Sequence, residues 1–133
     1  MSRAPDSIRH GGMLLASIIA LALSGCGRQQ DVVAEAAALT GGDPARGRAA
    51  MRAYGCVSCH TIPGVTGAQA LVGPSLAGIA ERSYIGGVLP NSPENLVRWI
   101  RDPRGVDPRT AMPDVGVSER DARDIAGYLY SLR

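Results

Sequence analysis

Apolar side chains recur at helical spacing in three segments of the chain, residues 44–54, 93–101 and 118–133. Each segment opens with a helix-start signal, in which a capping residue precedes a proline or an acidic residue. These signals are Asp43-Pro44, Ser92-Pro93-Glu94 and Ser118 with Asp121. A glycine follows the first segment and a proline the second, and both residue types end helices. The pattern predicts an all-α domain of three main helices.

The segments between these helices have the composition of loops and turns. Residues 61–71 are rich in glycine and threonine, and Gly73-Pro74-Ser75-Leu76 begins a short turn or helix. Residues 103–117 hold three prolines and two glycines, which predicts an extended, stiff loop. Met112 lies inside this loop, and an apolar side chain exposed there needs a partner.

The N-terminal 25 residues have the composition of a secretory signal peptide. Arg3 and Arg9 are followed by an apolar run of eleven residues, Met13 to Leu23, and then by small residues. A bilayer-spanning helix needs about 20 apolar residues, so the run is short for a membrane span. An uncleaved anchor is the alternative.

Leu23-Ser24-Gly25-Cys26 resembles the bacterial lipobox, in which the cysteine is lipidated and becomes the first residue of the mature protein. An unmodified Cys26 is the alternative. The stretch that follows shows no amphipathic stripe, so we expect residues 26–41 to form a lipidated tether and residues 42–133 to form the domain. The protein is then exported and anchored to a membrane, facing the periplasm or the cell exterior.

Residues 56–60, Cys-Val-Ser-Cys-His, match the C-x-x-C-H spacing of covalent c-type haem attachment. Cys56 and Cys59 would each form a thioether to the haem, and His60 would bind the iron. A structural zinc site would need a second pair of ligands, which the sequence lacks. A thioredoxin-like dithiol would lie in a βαβ unit, but the flanking chain lacks strand-like alternation. The motif therefore predicts one covalent haem c.

The second axial iron ligand follows from what remains after removal of the signal peptide. His60 is then the only histidine, and Met51 and Met112 are the remaining methionines. Met51 lies close before Cys56, on the attachment side, whereas the loop that carries Met112 is able to return across the other face. Met112 is the predicted ligand, and a methionine that fills a gap in the core is the alternative.

Composition and charge narrow the function further. All 14 basic residues are arginine, they are interleaved with 12 acidic residues, and the formal charge is +2. This balance does not suggest a nucleic-acid-binding protein, and it predicts weak electrostatic steering of partners. One Trp, four Tyr and no Phe leave few large side chains for a core. A buried porphyrin would fill that space.

In the order of its elements the chain resembles a class I cytochrome c, over about residues 42–133. The resemblance implies that the carbonyl of Pro74 accepts a hydrogen bond from His60 and that Arg82 binds a haem propionate. It also places Trp99 against the haem on the methionine side, and Gly47 where the first and last helices cross, near Tyr128. For Trp99 and Gly47 an ordinary core role is the alternative.

Residues 84–117 are most similar to the small cytochrome domains associated with bacterial haem-copper oxidases. The resemblance implies an electron carrier in a respiratory chain, with a terminal oxidase or a quinol:cytochrome c reductase as partner and no small-molecule substrate of its own. Three alternatives remain. They are the haem subunit of a periplasmic dehydrogenase, an open-site haem enzyme such as a peroxidase, and an assembly subunit with a vestigial haem.

Overall fold

A computed structural model describes residues 27–133 of the chain. The predicted signal peptide and Cys26 lie outside the described residues. The helices are α1 over residues 27–40, α2 Pro44–Ala53, α3 Pro93–Arg101, α4 Pro103–Val106 and α5 Glu119–Tyr130. Short 3₁₀ turns cover Cys56–Ser58 and Ile79–Glu81, and strands β1 (Tyr84–Ile85) and β2 (Leu89–Pro90) form an antiparallel hairpin. The predicted all-α architecture is confirmed.

The three main helices begin at the predicted capping residues. The Asp43 side chain accepts hydrogen bonds from the backbone amides of Ala45 and Arg46 at the start of α2. Ser92 and Ser118 cap α3 and α5 through the amide three residues further on. Side-chain acceptors at these positions satisfy amides that the first turn of a helix leaves unpaired.

The compact unit begins at Val33, and not at residue 42 as the sequence suggested. Residues 27–40 are helical, and the expectation of a tether without a docking face is wrong for the end of this segment. Ala36 is fully buried, and the buried Thr40 donates a hydrogen bond to its carbonyl. Glu35 forms an ion pair with Arg133 near the C-terminus. Ala36 and Thr40 are small and lie one helical turn apart, so this part of α1 is buried without an apolar stripe.

Among the contacts between helices α2 to α5, the crossing of α2 and α5 is the most extensive. Gly47 lies at the crossing, as expected, but its neighbour there is Asp124 and not Tyr128. A Cβ on Gly47 would overlap the backbone carbonyl of Asp124. Gly42 meets the backbone of Arg123 in the same way. The two backbones approach closely because neither glycine carries a side chain.

Asp124 joins the two helices at this crossing. Its side chain is 2% exposed and accepts hydrogen bonds from the Asp43 amide at 2.6 Å and from Arg46 Nε and Nη2 at 2.8 and 3.0 Å. Three donors compensate for the loss of water around a buried carboxylate. The hydrogen bond with the Arg46 guanidinium, more than any other contact, lowers the pKa of Asp124.

The loop after α3 departs from the prediction at its start. Residues 103–117 were expected to be extended throughout, but Pro103–Val106 form one helical turn, α4. The Asp102 carboxylate caps this turn by accepting a hydrogen bond from the Gly105 amide at 2.7 Å. The rest of the segment, residues 107–117, has no helix or strand. None of the helices in residues 27–133 combines the length and apolar character that a bilayer crossing requires.

We expect Asp124→Asn to destabilise the protein by about 1–3 kcal/mol at pH 7, because the Asp43 amide and the Arg46 guanidinium lose a charged acceptor. The folded-state pKa of Asp124 lies below its unfolded value of about 3.9. Its contribution to stability is therefore fully present above pH 4 and is lost as the pH falls through the folded-state pKa. Urea unfolding between pH 7 and pH 2 should show a smaller loss of stability in acid for the variant than for the wild type.

Asp31→Asn is the matched control. Asp31 is exposed, and its side chain makes no hydrogen bond or ion pair among residues 27–133. Parallel pH profiles for Asp124→Asn and the wild type would show that Asp124 does not carry this part of the acid sensitivity.

Candidate functional site

An apolar cavity lies between α2, α3, α5 and the loops. Arg82 is the one arginine among its lining residues, and none of them is acidic. The lining brings together side chains from most of the unit: Met51, Cys56, His60, Pro74, Leu76, Ile79, Arg82, Tyr84, Ile85, Gly86, Leu96, Trp99, Ile100, Met112, Val115, Val117, Ile125 and Leu129. A space of this kind suits a large, flat, apolar ligand with few polar groups.

The predicted attachment motif lies at the edge of this cavity. Gly55 adopts a left-handed conformation, with φ of 77°, and turns the chain from α2 into the 3₁₀ turn Cys56–Ser58. The amides of Cys59 and His60 both donate to the carbonyl of Cys56, which folds the motif back on itself. Cys56 and Cys59 are free thiols, and burial raises the pKa of the Cys56 thiol. Cys56 lines the large cavity, and both cysteines line a smaller one beside it.

His60 is held by contacts with the segment that follows the loop. Its Nδ1 lies 2.7 Å from the carbonyl oxygen of Pro74, the contact that the resemblance implied. Since the carbonyl only accepts hydrogen bonds, Nδ1 carries the hydrogen and Nε2 is left for another partner. Gly73 packs against the ring, and its amide donates to the carbonyl of Cys59 at 2.7 Å. The imidazole is fixed within a short stretch of sequence.

Met112 comes to the same cavity from a distant part of the chain. It lies in the irregular segment 107–117, is half-buried, and lines both the large and the small cavity. Its amide donates to the Thr110 hydroxyl at 3.2 Å. Met51, the other methionine considered as a ligand, also lines the large cavity, but it is 1% exposed and packs in the hydrophobic core. The structure therefore brings His60 and Met112 together at one apolar site.

Arg82 provides the positive charge at the cavity edge. Its Nη2 donates to the carbonyls of Ser75 and Ala77. Among residues 27–133 these are its only hydrogen bonds to protein, so Nε and Nη1 remain as donors. A guanidinium with free donors beside an apolar cavity fits a carboxylate-bearing ligand.

Trp99 reaches the cavity from α3 and packs against the β1–β2 turn. A Cβ on Gly86 would lie 2.6 Å from Trp99 Cη2, so the indole occupies the place of a side chain. Gly86 and Gly87 both have positive φ, of 57° and 77°. The turn needs glycine for its conformation, and Trp99 needs it for space.

Sequence reasoning missed the polar contacts that hold the Arg82 side of the cavity in place. The side-chain amide nitrogen of Asn91 donates to the carbonyls of Ile79 and Arg82 at 2.7 and 2.8 Å. The side-chain oxygen accepts a hydrogen bond from the Tyr130 hydroxyl. Asn91 thereby ties the 3₁₀ turn to α5. Its position after a proline at the end of the hairpin was visible in the sequence, but its three partners were not.

The residues at the cavity fit a covalently attached haem. Cys56, the Met112 thioether and an imidazole with an available Nε2 line it, and Cys59 lines the smaller cavity beside it. The wall between them is apolar, and one guanidinium stands at the edge. Soft sulfur and imidazole donors around an apolar space suit haem iron.

Two relatives with the same name share part of this sequence. Cytochrome c oxidase subunit 2 of Alkalihalophilus pseudofirmus is 38% identical over 89 residues, which are 66% of this chain and 25% of that protein. Cytochrome c oxidase subunit 2 of Bacillus sp. strain PS3 is 33% identical over 82 residues, 59% of this chain and 23% of that protein. The chain thus spans about a quarter of the length of these relatives. No solved structure matches the chain significantly.

The cytochrome c family profile matches residues 44–133, from the start of α2 to the C-terminus. The match covers α2, the C-x-x-C-H motif, the Met112 loop and α5. The resemblance inferred from the order of the elements is confirmed, and with it the fold class. This chain belongs to the cytochrome c family.

Proposed function

We propose that this protein is a membrane-tethered monohaem cytochrome c that carries single electrons in a respiratory chain towards a terminal oxidase. The observation that carries the proposal is the placement of Cys56, His60 and Met112 around one apolar cavity in a chain of this family. A bound haem supplies an iron that cycles between the ferric and ferrous states.

The chain's own residues set the conditions for that chemistry. Cys56 and Cys59 would hold the haem covalently, and His60 would present Nε2 to the iron while Pro74 fixes its ring. Met112 would bind the iron through its thioether, which favours the ferrous state. The apolar wall excludes water, and Arg82 would bind a propionate carboxylate. A site closed on both faces favours electron transfer over the binding of a small substrate.

The surface around the attachment motif supports docking through apolar contact. Residues 55–80 contain no Asp, Glu or Arg, and Leu71 and Val72 are 88% and 81% exposed. Docking there would depend only weakly on long-range charge. The relatives named cytochrome c oxidase subunit 2 support a terminal oxidase as the electron acceptor of this protein. A quinol:cytochrome c reductase is the other partner that the resemblance implies.

The membrane attachment rests on the sequence of the N-terminus. The lipobox-like Leu23-Ser24-Gly25-Cys26 would place a lipid on Cys26 after export, facing the periplasm or the cell exterior. Because the compact unit begins at Val33, the segment between Cys26 and that unit comprises residues 27–32.

Replacing Cys26 by Ser should release the cytochrome from the membrane, because the serine hydroxyl does not accept the lipid. We expect cell fractionation with haem detection to find the wild type in membranes and the variant in the soluble exported fraction or as an unprocessed precursor. Ser24→Ala is a control that keeps the cysteine. A fully processed Cys26→Ser protein that stays membrane-bound would contradict the lipid assignment.

Replacing Gly73 by Ala should disturb the haem on the His60 side. A Cβ at this position would lie 2.7 Å from His60 Nδ1 and closer still to Cε1, so the ring has to move away from Pro74. We expect the holoprotein to lose about 1–3 kcal/mol of stability to urea unfolding. Ser75→Ala, in the same loop, removes only an exposed hydroxyl that accepts a hydrogen bond from the Ala77 amide and should change little.

Replacing Met112 by Ala should leave the haem attached through Cys56 and Cys59 and open one axial position. The ferric protein should lose its weak near-infrared sulfur-to-iron band, the reduction potential should fall, and the reduced protein should bind carbon monoxide readily. Met51→Leu is the matched control, because it removes the other sulfur with little change of volume. It should keep the band.

The wild type itself separates the electron carrier from its alternatives. A ferric wild type without the sulfur-to-iron band, or a reduced one that binds carbon monoxide as readily as Met112→Ala, would contradict the proposal and favour an open-site haem enzyme. A band that disappears in Met51→Leu and persists in Met112→Ala would show that Met51, and not Met112, binds the iron.

A further inference from the structure

One carboxylate joins the end of α2 to the start of α5. The Tyr54 hydroxyl donates to Asp121 Oδ2 at 2.7 Å, and the Ser118 hydroxyl donates to the same oxygen at 2.8 Å. The Asp121 amide in turn donates to Ser118 Oγ at 3.1 Å. We call these three residues the Tyr54 cluster. They link positions 67 residues apart in sequence.

The Tyr54 cluster lies where α2 leads into the attachment motif and where residues 107–117 lead into α5. Tyr54 is the C-terminal cap of α2, two residues before Cys56. Ser118 is the N-terminal cap of α5, six residues after Met112. Tyr54 also lines the smaller cavity, together with Cys59 and His60 of the attachment motif. The residues from the other segment are Met112, Pro113 and Val115.

The Met112 segment has little else to fix it. Residues 107–117 have no helix or strand, and most of the stretch 111–116 is exposed. Its own hydrogen bonds are local ones, such as Gly116 to the Asp114 carboxylate at 2.8 Å. Exposed segments with few buried contacts open at low free-energy cost. The position of Met112 therefore depends on how firmly the two ends of the segment are held.

We propose that Tyr54 is a positioning residue for Met112, acting through Asp121 and Ser118 to hold the end of the Met112 segment against the end of α2, next to the attachment motif. The proposal rests on the proposed function, in which Met112 binds the iron. Hydrogen bonds from Tyr54 and Ser118 lower the pKa of Asp121, so the ionised carboxylate accepts both at neutral pH. Hydrogen bonds to a charged acceptor are stronger than neutral ones.

The test uses the full-length holoprotein and an external ligand that competes with Met112. Tyr54→Phe keeps the ring in the cavity wall and removes only the hydroxyl. Since imidazole must wait for Met112 to leave the ferric iron, its binding rate at saturating concentration reports the opening of the segment. We expect the variant to bind imidazole about three to ten times faster than the wild type, as for the loss of one hydrogen bond.

Tyr128→Phe is the matched control. The Tyr128 hydroxyl donates to the carbonyl of Pro63 at 2.7 Å, so this variant also loses one tyrosine hydrogen bond between α5 and a loop. That loop does not carry Met112. We expect its imidazole rate to stay within about twofold of the wild type, since a loss of global stability alone should not speed Met112 release. Asp121→Asn, which keeps an acceptor but loses the charge, should give a rate between those of the wild type and Tyr54→Phe.

Equal rates for Tyr54→Phe and the wild type, or equal acceleration in Tyr54→Phe and Tyr128→Phe, would overturn the inference. These outcomes differ from a failure of the proposed function. If Met112 does not bind the iron, the sulfur-to-iron band is absent from the wild type or persists in Met112→Ala. A band that Met112→Ala loses, together with an unaltered Tyr54→Phe rate, removes only the role of Tyr54.

Discussion

The crossing of α2 and α5 is the contact on which the rest of the compact unit depends. Gly42 and Gly47 bring the backbones together, and a side chain at either position would overlap the backbone of α5. From the crossing, α2 leads directly into Cys56, and α5 supplies Ile125 and Leu129 to the cavity wall. The crossing therefore determines how far apart α2 and α5 lie at the cavity, independently of the residues that would bind the haem.

Asp124 gives this crossing its register. The ion pair with the exposed Arg46 adds little net stability, because the cost of removing the Asp124 carboxylate from water offsets the attraction. Its donors are directional, however: the Asp43 amide and the Arg46 guanidinium both come from the N-terminal end of α2. A shift of α5 by one turn would leave a buried carboxylate without donors, which costs more than a mismatch between apolar side chains.

The sequence was sufficient to predict what depends on neighbours along the chain. The caps at Asp43, Ser92 and Ser118 and the C-x-x-C-H turn are local, and the helices begin where these signals stand. Contacts between distant segments were not predictable in this way. Ala36 is buried because its side chain is small, and Asp124 is buried because hydrogen-bond donors from the start of α2 reach it. Neither property appears in the hydrophobic pattern of the sequence.

The two faces of the site are built on different physical principles. On the His60 face, Gly73 and Pro74 fix the imidazole within about one loop of sequence. The opposite face depends on residues 107–117, which lack regular structure and are held mainly at their ends. Occupation of the position opposite the histidine decides whether a haem protein transfers electrons or binds small ligands. In the proposed function, electron transfer thus depends on residues 107–117, which lack regular structure, and on the hydrogen bonds of Tyr54 and Ser118 to Asp121 at the end of that segment.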